Sequence, residues 1–247
     1  MMDFPVDLIR FLSKAQRVVA LTGAGVSQES GLRTFRDAQE GLWAKYNPQD
    51  LASPEAFARD PKLVWDWYAW RREAIKGVRP NAGHFALAEM ETIFPVCTLV
   101  TQNVDGLHHM AGSKVVHELH GNILRVRCSQ CGAFAEIWGD DSEQVPQCQV
   151  CGGLLRPDVV WFGESLPLAE LEAAVLAVRA CDVFFSIGTS GVVQPAASLA
   201  SAARSNGAMV VEINAETTPV TQQADFSIQG KSGLVLPALI AAVKSAM

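Results

Sequence analysis

No stretch of this chain is apolar for long enough to cross a bilayer. A membrane-spanning helix needs roughly 20 apolar residues, and the run from Leu234 to Val243 reaches about half of that. Charge is also sparse. Only 19% of the 247 residues are charged against 49% hydrophobic, which excludes a disordered tail protein. With 20 Lys and Arg against 26 Asp and Glu, the net charge is −6. A duplex-binding domain is usually basic, so nucleic acid is not an expected partner. The opening Met1-Met2-Asp3-Phe4-Pro5 lacks a basic n-region and a clean apolar stretch, which argues against a secretory signal. Six cysteines in so long a chain are too few for a disulfide scaffold. Internal repeats and low-complexity tracts are absent. These absences leave a globular chain of one large domain, or a large and a small one, in a reducing compartment that we read as the cytoplasm.

What is present alternates short apolar runs with amphipathic segments, the pattern of an α/β protein with a parallel sheet. Strands are expected at Arg17–Thr22, Pro95–Thr101, Asp182–Gly188, Ala208–Asn214 and Ala224–Ile228. Helices are expected at Asn81–Ile93, Leu168–Ala180, Pro195–Ser205 and Leu234–Ala246. Two stretches break the alternation. Residues 35–80 are helical in pattern and hold four of the six tryptophans, and residues 121–158 are glycine-rich and short-stranded. We read both as insertions forming a smaller domain, with 1–34, 81–120 and 159–247 making the larger one.

The clearest local signal is the cysteine spacing. Cys128-x2-Cys131 and Cys148-x2-Cys151 are separated by sixteen residues, the spacing of two thiolate knuckles around one tetrahedral Zn²⁺. Four protein thiolates leave no open coordination position, so the metal would be structural. Cys97 and Cys181 stand alone in apolar runs. A second signal is Gly23-Ala24-Gly25-Val26-Ser27 at a strand end, which suits either an anion-binding turn or a plain tight turn. Gln28 stands where a dehydrogenase fingerprint would carry its third glycine. Thr101-Gln102-Asn103-Val104-Asp105 follows another strand. Its polar groups fit a ligand at the sheet's carboxyl edge or an Asx helix cap. In His117-Glu118-Leu119-His120, strand alternation pairs His117 with Leu119 and Glu118 with His120. His120 could be a general base, a zinc neighbour or a surface histidine. His108 and His109 read as helix-surface residues. Gly188-Thr189-Ser190 and Asn214-Ala215-Glu216 place more polar groups at strand ends.

Together these blocks resemble the sirtuin family of NAD-dependent protein deacylases, in order from Val18 to about Pro237. The resemblance rests also on Gly31-Leu32-Arg33-Thr34-Phe35-Arg36, Gly106-Leu107-His108 and Val159-Val160-Trp161-Phe162-Gly163-Glu164. It implies a Rossmann-like domain with a smaller domain of helices and a four-cysteine zinc ribbon. NAD would be held by Gly23, Ala24, Gly25, Ser30, Thr34, Phe35, Arg36, Gln102, Asn103 and Asp105. Gly188, Thr189, Ser190, Asn214, Ala215, Glu216 and Ser232 would take its adenosine half. In the family's chemistry the acyl oxygen of a modified lysine attacks C1′ of the nicotinamide ribose. His120 then matches the base that helps a ribose hydroxyl attack the resulting alkylimidate, with Asn103 alongside. Free lysine, nicotinamide and O-acyl-ADP-ribose leave. Acylated lysine proteins or peptides are the implied partners, with Val160, Phe162, Gly163 and Glu164 in a segment that pairs with the peptide as a strand.

One helical stretch narrows the acyl group. Tyr68 and Arg71 are three apart on one face and resemble the Tyr-x-x-Arg pair of sirtuins that prefer succinyl, malonyl and glutaryl lysine. A guanidinium takes a carboxylate through two parallel hydrogen bonds and a phenol adds another. Ala52 would leave room for the longer chain. ADP-ribosyl transfer to a protein and a non-enzymatic NAD sensor are the other functions these motifs allow. A monomer is expected, and the short termini suggest a minimal bacterial-type enzyme.

Overall fold

The computed structural model describes residues 2–32, 45–140 and 143–247. In chain order its elements begin with α1 (Val6–Leu12), β1 (Arg17–Thr22), the single turn α2 (Gly25–Gln28), α3 (Pro48–Leu51), α4 (Pro54–Arg59), α5 (Pro61–Lys76) and α6 (Ala82–Ile93). They continue through β2 (Val96–Thr101), α7 (Leu107–Met110), β3 (Val116–Glu118), β4 (Gly121–Cys128) and β5 (Leu155–Val159). The remainder is α8 (Leu168–Ala180), β6 (Val183–Ile187), α9 (Ser198–Ser205), β7 (Met209–Asn214), β8 (Phe226–Gln229) and α10 (Ser232–Ala246).

Six strands pair in parallel in the order β3-β2-β1-β6-β7-β8. Because β1 sends its chain outward to β2 and β6 starts the other half, the order reverses between β1 and β6. In open α/β sheets ligands bind beyond the carboxyl ends of the strands at such a reversal. The central strands are apolar on both faces, as a parallel sheet covered by helices requires. Alternate residues divide between the two covers. Val18, Ala20, Phe185 and Ile213 pack with Leu8 of α1, Leu87 of α6 and Leu239 of α10. Val19, Leu21, Phe184 and Val210 pack with Val178 of α8 and Leu199 of α9.

A third apolar cluster joins α3–α5 to the antiparallel pair β4–β5. It contains Trp65, Trp67 and Tyr68, each fully buried, with Ile123, Leu155 and Trp161. The chain's path into this helical region is set by two Xaa-Pro caps. Ser53 Oγ accepts from Ala56 N at 3.1 Å ahead of Pro54, and Asp60 Oδ1 accepts from Leu63 N at 3.0 Å ahead of Pro61.

The expected strands and helices form, with shifted ends. α9 starts at Ser198 and not at Pro195, because residues 195–198 make a turn closed by Ser198 N to Pro195 O at 3.1 Å. α10 starts two residues before Leu234, because Glu29 caps it from a distance: Oε1 accepts from Gly233 N at 2.8 Å and Ser232 Oγ at 3.1 Å. α1 was not expected; its short sequence carries no side-chain cap, and burial of Leu8 and Leu12 against the sheet's helices supports it. The strand alternation read through His117–His120 also needs correction. β3 ends at Glu118, and Glu118 and Leu119 are both buried.

Candidate active site and metal centre

The ends of β1 and β6 meet back to back. Gly25 N donates to Gly188 O at 2.8 Å, and Gly23 N donates to Ile187 O at 3.1 Å. A methyl on Gly25 would lie 2.7 Å from Gly188 O, and one on Gly188, where φ is +57°, would lie 2.6 Å from Val26 N. The glycines are therefore required by backbone approach, and two amides of the turn are spent inside the protein. Ala24, exposed, starts the short helix α2, and Ser30 Oγ accepts from Asn81 Nδ2 at 2.9 Å. Thr34, Phe35 and Arg36 lie outside the described residues.

Directly beneath this turn, the segment after β2 supplies a buried polar network. Asn103 Nδ2 donates to Gly23 O and to Ser27 Oγ, both at 3.1 Å. Ser27 Oγ donates to Asp105 Oδ2 at 2.8 Å, and Asp105 Oδ1 accepts from Leu107 N at 2.9 Å. Asp105 is thus an Asx cap for α7 and a partner of the glycine turn at once. His84 completes the group: Nδ1 accepts from Asn81 N at 3.3 Å in a capping box, which leaves Nε2–H facing Ser27 Oγ at 3.4 Å. Ser27 and His84 did not figure among the expected site residues. Ser27 closes the glycine block already noted, and for His84 the signal is the Asn81-x-x-His84 spacing, which reads as a cap.

His108 corrects a second expectation. It is 2% exposed, its ring centroid 4.9 Å from that of His84, and its Nε2 lies 2.9 Å from Thr22 Oγ1. Gly106, at φ +74°, turns the chain so sharply that the single-turn α7 presents His108 inward. Burial, first, and the neighbouring His84 push its pKa down to about 3.

His120 sits just past β3. Its Nδ1 lies 3.0 Å from Gln102 O, so the proton is on Nδ1 and Nε2 carries the free lone pair. Burial lowers its pKa below the ordinary histidine value, and the Gln102 carbonyl opposes that only in part. A neutral imidazole of fixed tautomer can accept a proton at Nε2.

The strand ends are laced together. Gln102 Nε2 donates to Thr189 Oγ1 at 2.9 Å, and Asn214 Nδ2 donates to Thr189 O at 2.8 Å. Ser190, Ala215 and Glu216 are exposed beside them. Ser232 is buried at the start of α10 with its hydroxyl on Glu29.

On α5, Tyr68 is fully buried and accepts from Trp161 Nε1 at 3.0 Å. The Arg71 guanidinium lies over the rings of Trp67 and Tyr68, 5.0 and 5.7 Å from their centroids. Its pKa is lowered by burial, against the opposing fields of Tyr68 and Asp105. Val160, Phe162, Gly163 and Glu164, the segment expected to pair with a peptide, follow the end of β5. β5 stops at Val159, and a turn closes with Glu164 N to Trp161 O at 3.0 Å around Gly163 at φ +87°. Val160 N donates to His120 O and Phe162 N to Ala52 O, which ties this turn to both the histidine and the helical region. Glu164 is held by Arg156, and Phe162 is half exposed.

The four cysteines form a closed set, all sulfurs within 4.8 Å of one another. Cys128 and Cys151 sulfurs are 3.4 Å apart, and those of Cys131 and Cys148 are 3.7 Å apart. Tetrahedral Zn–S bonds of about 2.3 Å require a sulfur spacing of about 3.8 Å. The two knuckles match: Gly132 N donates to Cys128 O and Gly152 N to Cys148 O, with both glycines at positive φ. The residues present therefore fit one structural Zn²⁺.

A parallel sheet whose strand order reverses between β1 and β6, with polar side chains gathered at its carboxyl edge and a four-cysteine module, defines an open α/β protein with a metal module. Comparison with known proteins narrows the class. The Sir2 family model matches residues 23–195, so the chain belongs to the Sir2 family. It is similar to NAD-dependent protein deacylase 2 of Pyrobaculum aerophilum, 53% identical over 97% of this chain and 96% of that protein. The NAD-dependent protein deacylase of Aquifex aeolicus is 54% identical over 87% and 90%. A crystal structure of a Sir2 homolog–NAD complex matches with a TM-score of 0.93 at 46% identity, over 99% of this chain and 95% of that one. A Sir2 bound to acetylated peptide matches with a TM-score of 0.82 at 28% identity, over 95% and 96%. Among the described residues no helix is long and apolar enough to cross a membrane.

Proposed function

We propose that this protein is an NAD-dependent protein-lysine deacylase that favours succinyl and malonyl over acetyl groups. The deacylase reading draws on the relatives just named and on the tight turn that Gly23, Gly25 and Gly188 build where the strand order reverses. Bound NAD⁺ supplies an electrophilic ribose carbon whose leaving group is nicotinamide. Asn103 and Asp105, fixed by Ser27 and the glycine turn, orient the ribose and the nicotinamide amide. Gly188, Ser190 and Asn214 receive the adenosine half. His120 accepts a ribose hydroxyl proton at Nε2 while Gln102 O holds its Nδ1–H.

The acyl preference is carried by one observation: on α5 the Arg71 guanidinium lies over the rings of Trp67 and Tyr68, 5.0 and 5.7 Å from their centroids, which sets a cation beside a buried phenol. A guanidinium takes a carboxylate through two parallel charge-assisted hydrogen bonds, and a phenol adds another. A succinyl group supplies that carboxylate and an acetyl group does not. Ala52, buried at the end of α3 and bonded through its carbonyl to Phe162 N, leaves the acyl path unobstructed by a larger side chain. We also assign 35–80 and 121–158 to a small domain carrying Zn²⁺, and 1–34, 81–120 and 159–247 to the NAD-binding domain. The separate cluster of α3–α5 with β4–β5 supports this division. Free thiols suited to Zn²⁺ support a cytoplasmic setting.

The test is incubation of the purified protein with NAD⁺ and succinyl- or acetyl-lysine peptides, read by mass spectrometry. Deacylated peptide and nicotinamide in equal amounts, only with NAD⁺, are expected. Removal of no acyl group from any peptide would overturn the reading.

A further inference from the structure

The bond between Trp161 and Tyr68 has a direction. An indole N–H only donates, so Tyr68 Oη is the acceptor at 3.0 Å and the phenol's own proton must point away from Trp161. Trp161, in turn, is held firmly. The Arg156 guanidinium lies 3.3 Å from its ring centroid, Phe57 packs at 5.3 Å, and Trp161 N donates to Glu164 Oε2 at 2.8 Å. Arg156 is fixed by Glu164 and by Val159 O at 2.8 Å. The indole therefore has little freedom to swing out of its bond.

Resting on the acyl reading above, we propose that Trp161 is a specificity-positioning residue. Its N–H occupies the acceptor side of Tyr68 Oη and turns the phenol into a fixed donor for an acyl carboxylate. Without that bond the hydroxyl rotates and can present a lone pair to the anion. Burial also raises the Tyr68 pKa above the ordinary phenol value, so the hydroxyl keeps its proton throughout the neutral range. An acetyl group places no acceptor beyond its methyl and does not sense the orientation.

The test compares kcat and KM for succinyl- and acetyl-lysine peptides at saturating NAD⁺ in four proteins: wild type, Trp161→Phe, Tyr68→Phe and the double variant. Phenylalanine keeps an aromatic face for Arg156 and Phe57 and removes the donor. The succinyl-to-acetyl ratio of kcat/KM should fall about five- to tenfold in Trp161→Phe, the loss lying in KM, as for one hydrogen bond. Trp161→Phe should lower the ratio no further when Tyr68 is already Phe. Should Trp161→Phe fold poorly, benzothienylalanine at position 161 keeps the bicyclic shape without the N–H and should give the same result. An unchanged ratio, or the same drop in the Tyr68→Phe background, would overturn the proposal while leaving the acyl reading intact. A wild-type enzyme with no succinyl preference would overturn both.

Discussion

The Nδ1–H of His120 is spent on the carbonyl oxygen of Gln102, 3.0 Å away, and this single bond determines which nitrogen of the ring is basic. It also ties the histidine to the residue whose side chain reaches Thr189 on the opposite strand end. Since burial lowers the His120 pKa, the base is already neutral at pH 7. The acid limb of the kcat/KM profile should therefore lie below pH ~6.5, the ordinary histidine value. His120→Ala should cost about 10²–10⁴-fold in kcat with peptide KM little changed. An acid limb above that value would contradict this assignment.

Zinc should be structural. Metal analysis should find one Zn²⁺ per chain, and Cys128→Ser should reduce it and lower the melting temperature. The binding free energy of such a site is on the order of 10 kcal/mol, most of it folding free energy. Limited proteolysis should then cut first between residues 121 and 158. A metal-free variant with full activity and stability would refute the role.

Gly188→Ala should damage the glycine turn without touching the chemistry. Its added methyl meets Val26 N at 2.6 Å and the backbone is already at positive φ. A loss of about 1–3 kcal/mol in stability and a raised KM for NAD⁺ are expected. Denaturant titration and NAD⁺ kinetics measure the two effects separately.

His108 gives the protein an acid weakness. Its folded pKa of about 3 lies below the unfolded value, so the unfolded state binds the extra proton. Stability is whole above pH ~6.5 and falls as pH drops toward the folded value, by up to about 1.4 kcal/mol per pH unit for each such histidine. His84, also lowered by burial, adds to the same trend. The loss of melting temperature between pH 7 and pH 4.5 should be smaller in His108→Asn than in wild type.

The strands of the parallel sheet were legible because, buried on both faces, they read as unbroken apolar runs such as Val183–Ile187. The cysteine knuckles were legible because the chelate spacing is local. What escaped was non-local. Ser27, His84 and Asp105 meet across 57 and 78 residues of chain, and nothing in the separate segments announces it. His108 was misread because the burial of a one-turn helix is decided by Gly106 and not by periodicity. The turn at 160–164 was not legible either, because it is closed by bonds from Arg156 and the Trp161 amide to the Glu164 carboxylate.

Arg71→Met should separate the acyl groups. Removing the cation deletes a charge-assisted pair worth roughly 1.5–3 kcal/mol, so succinyl turnover should fall about 10- to 150-fold more than acetyl turnover. Equal loss of both would make Arg71 a packing residue over Trp67 and Tyr68.

The most direct test of the account is the wild-type protein on one peptide carrying either succinyl- or acetyl-lysine, with and without NAD⁺. A succinyl kcat/KM at least about tenfold higher, and dependent on NAD⁺, is the predicted result. An acetyl peptide turned over as well or better would contradict the carboxylate clamp at Tyr68 and Arg71.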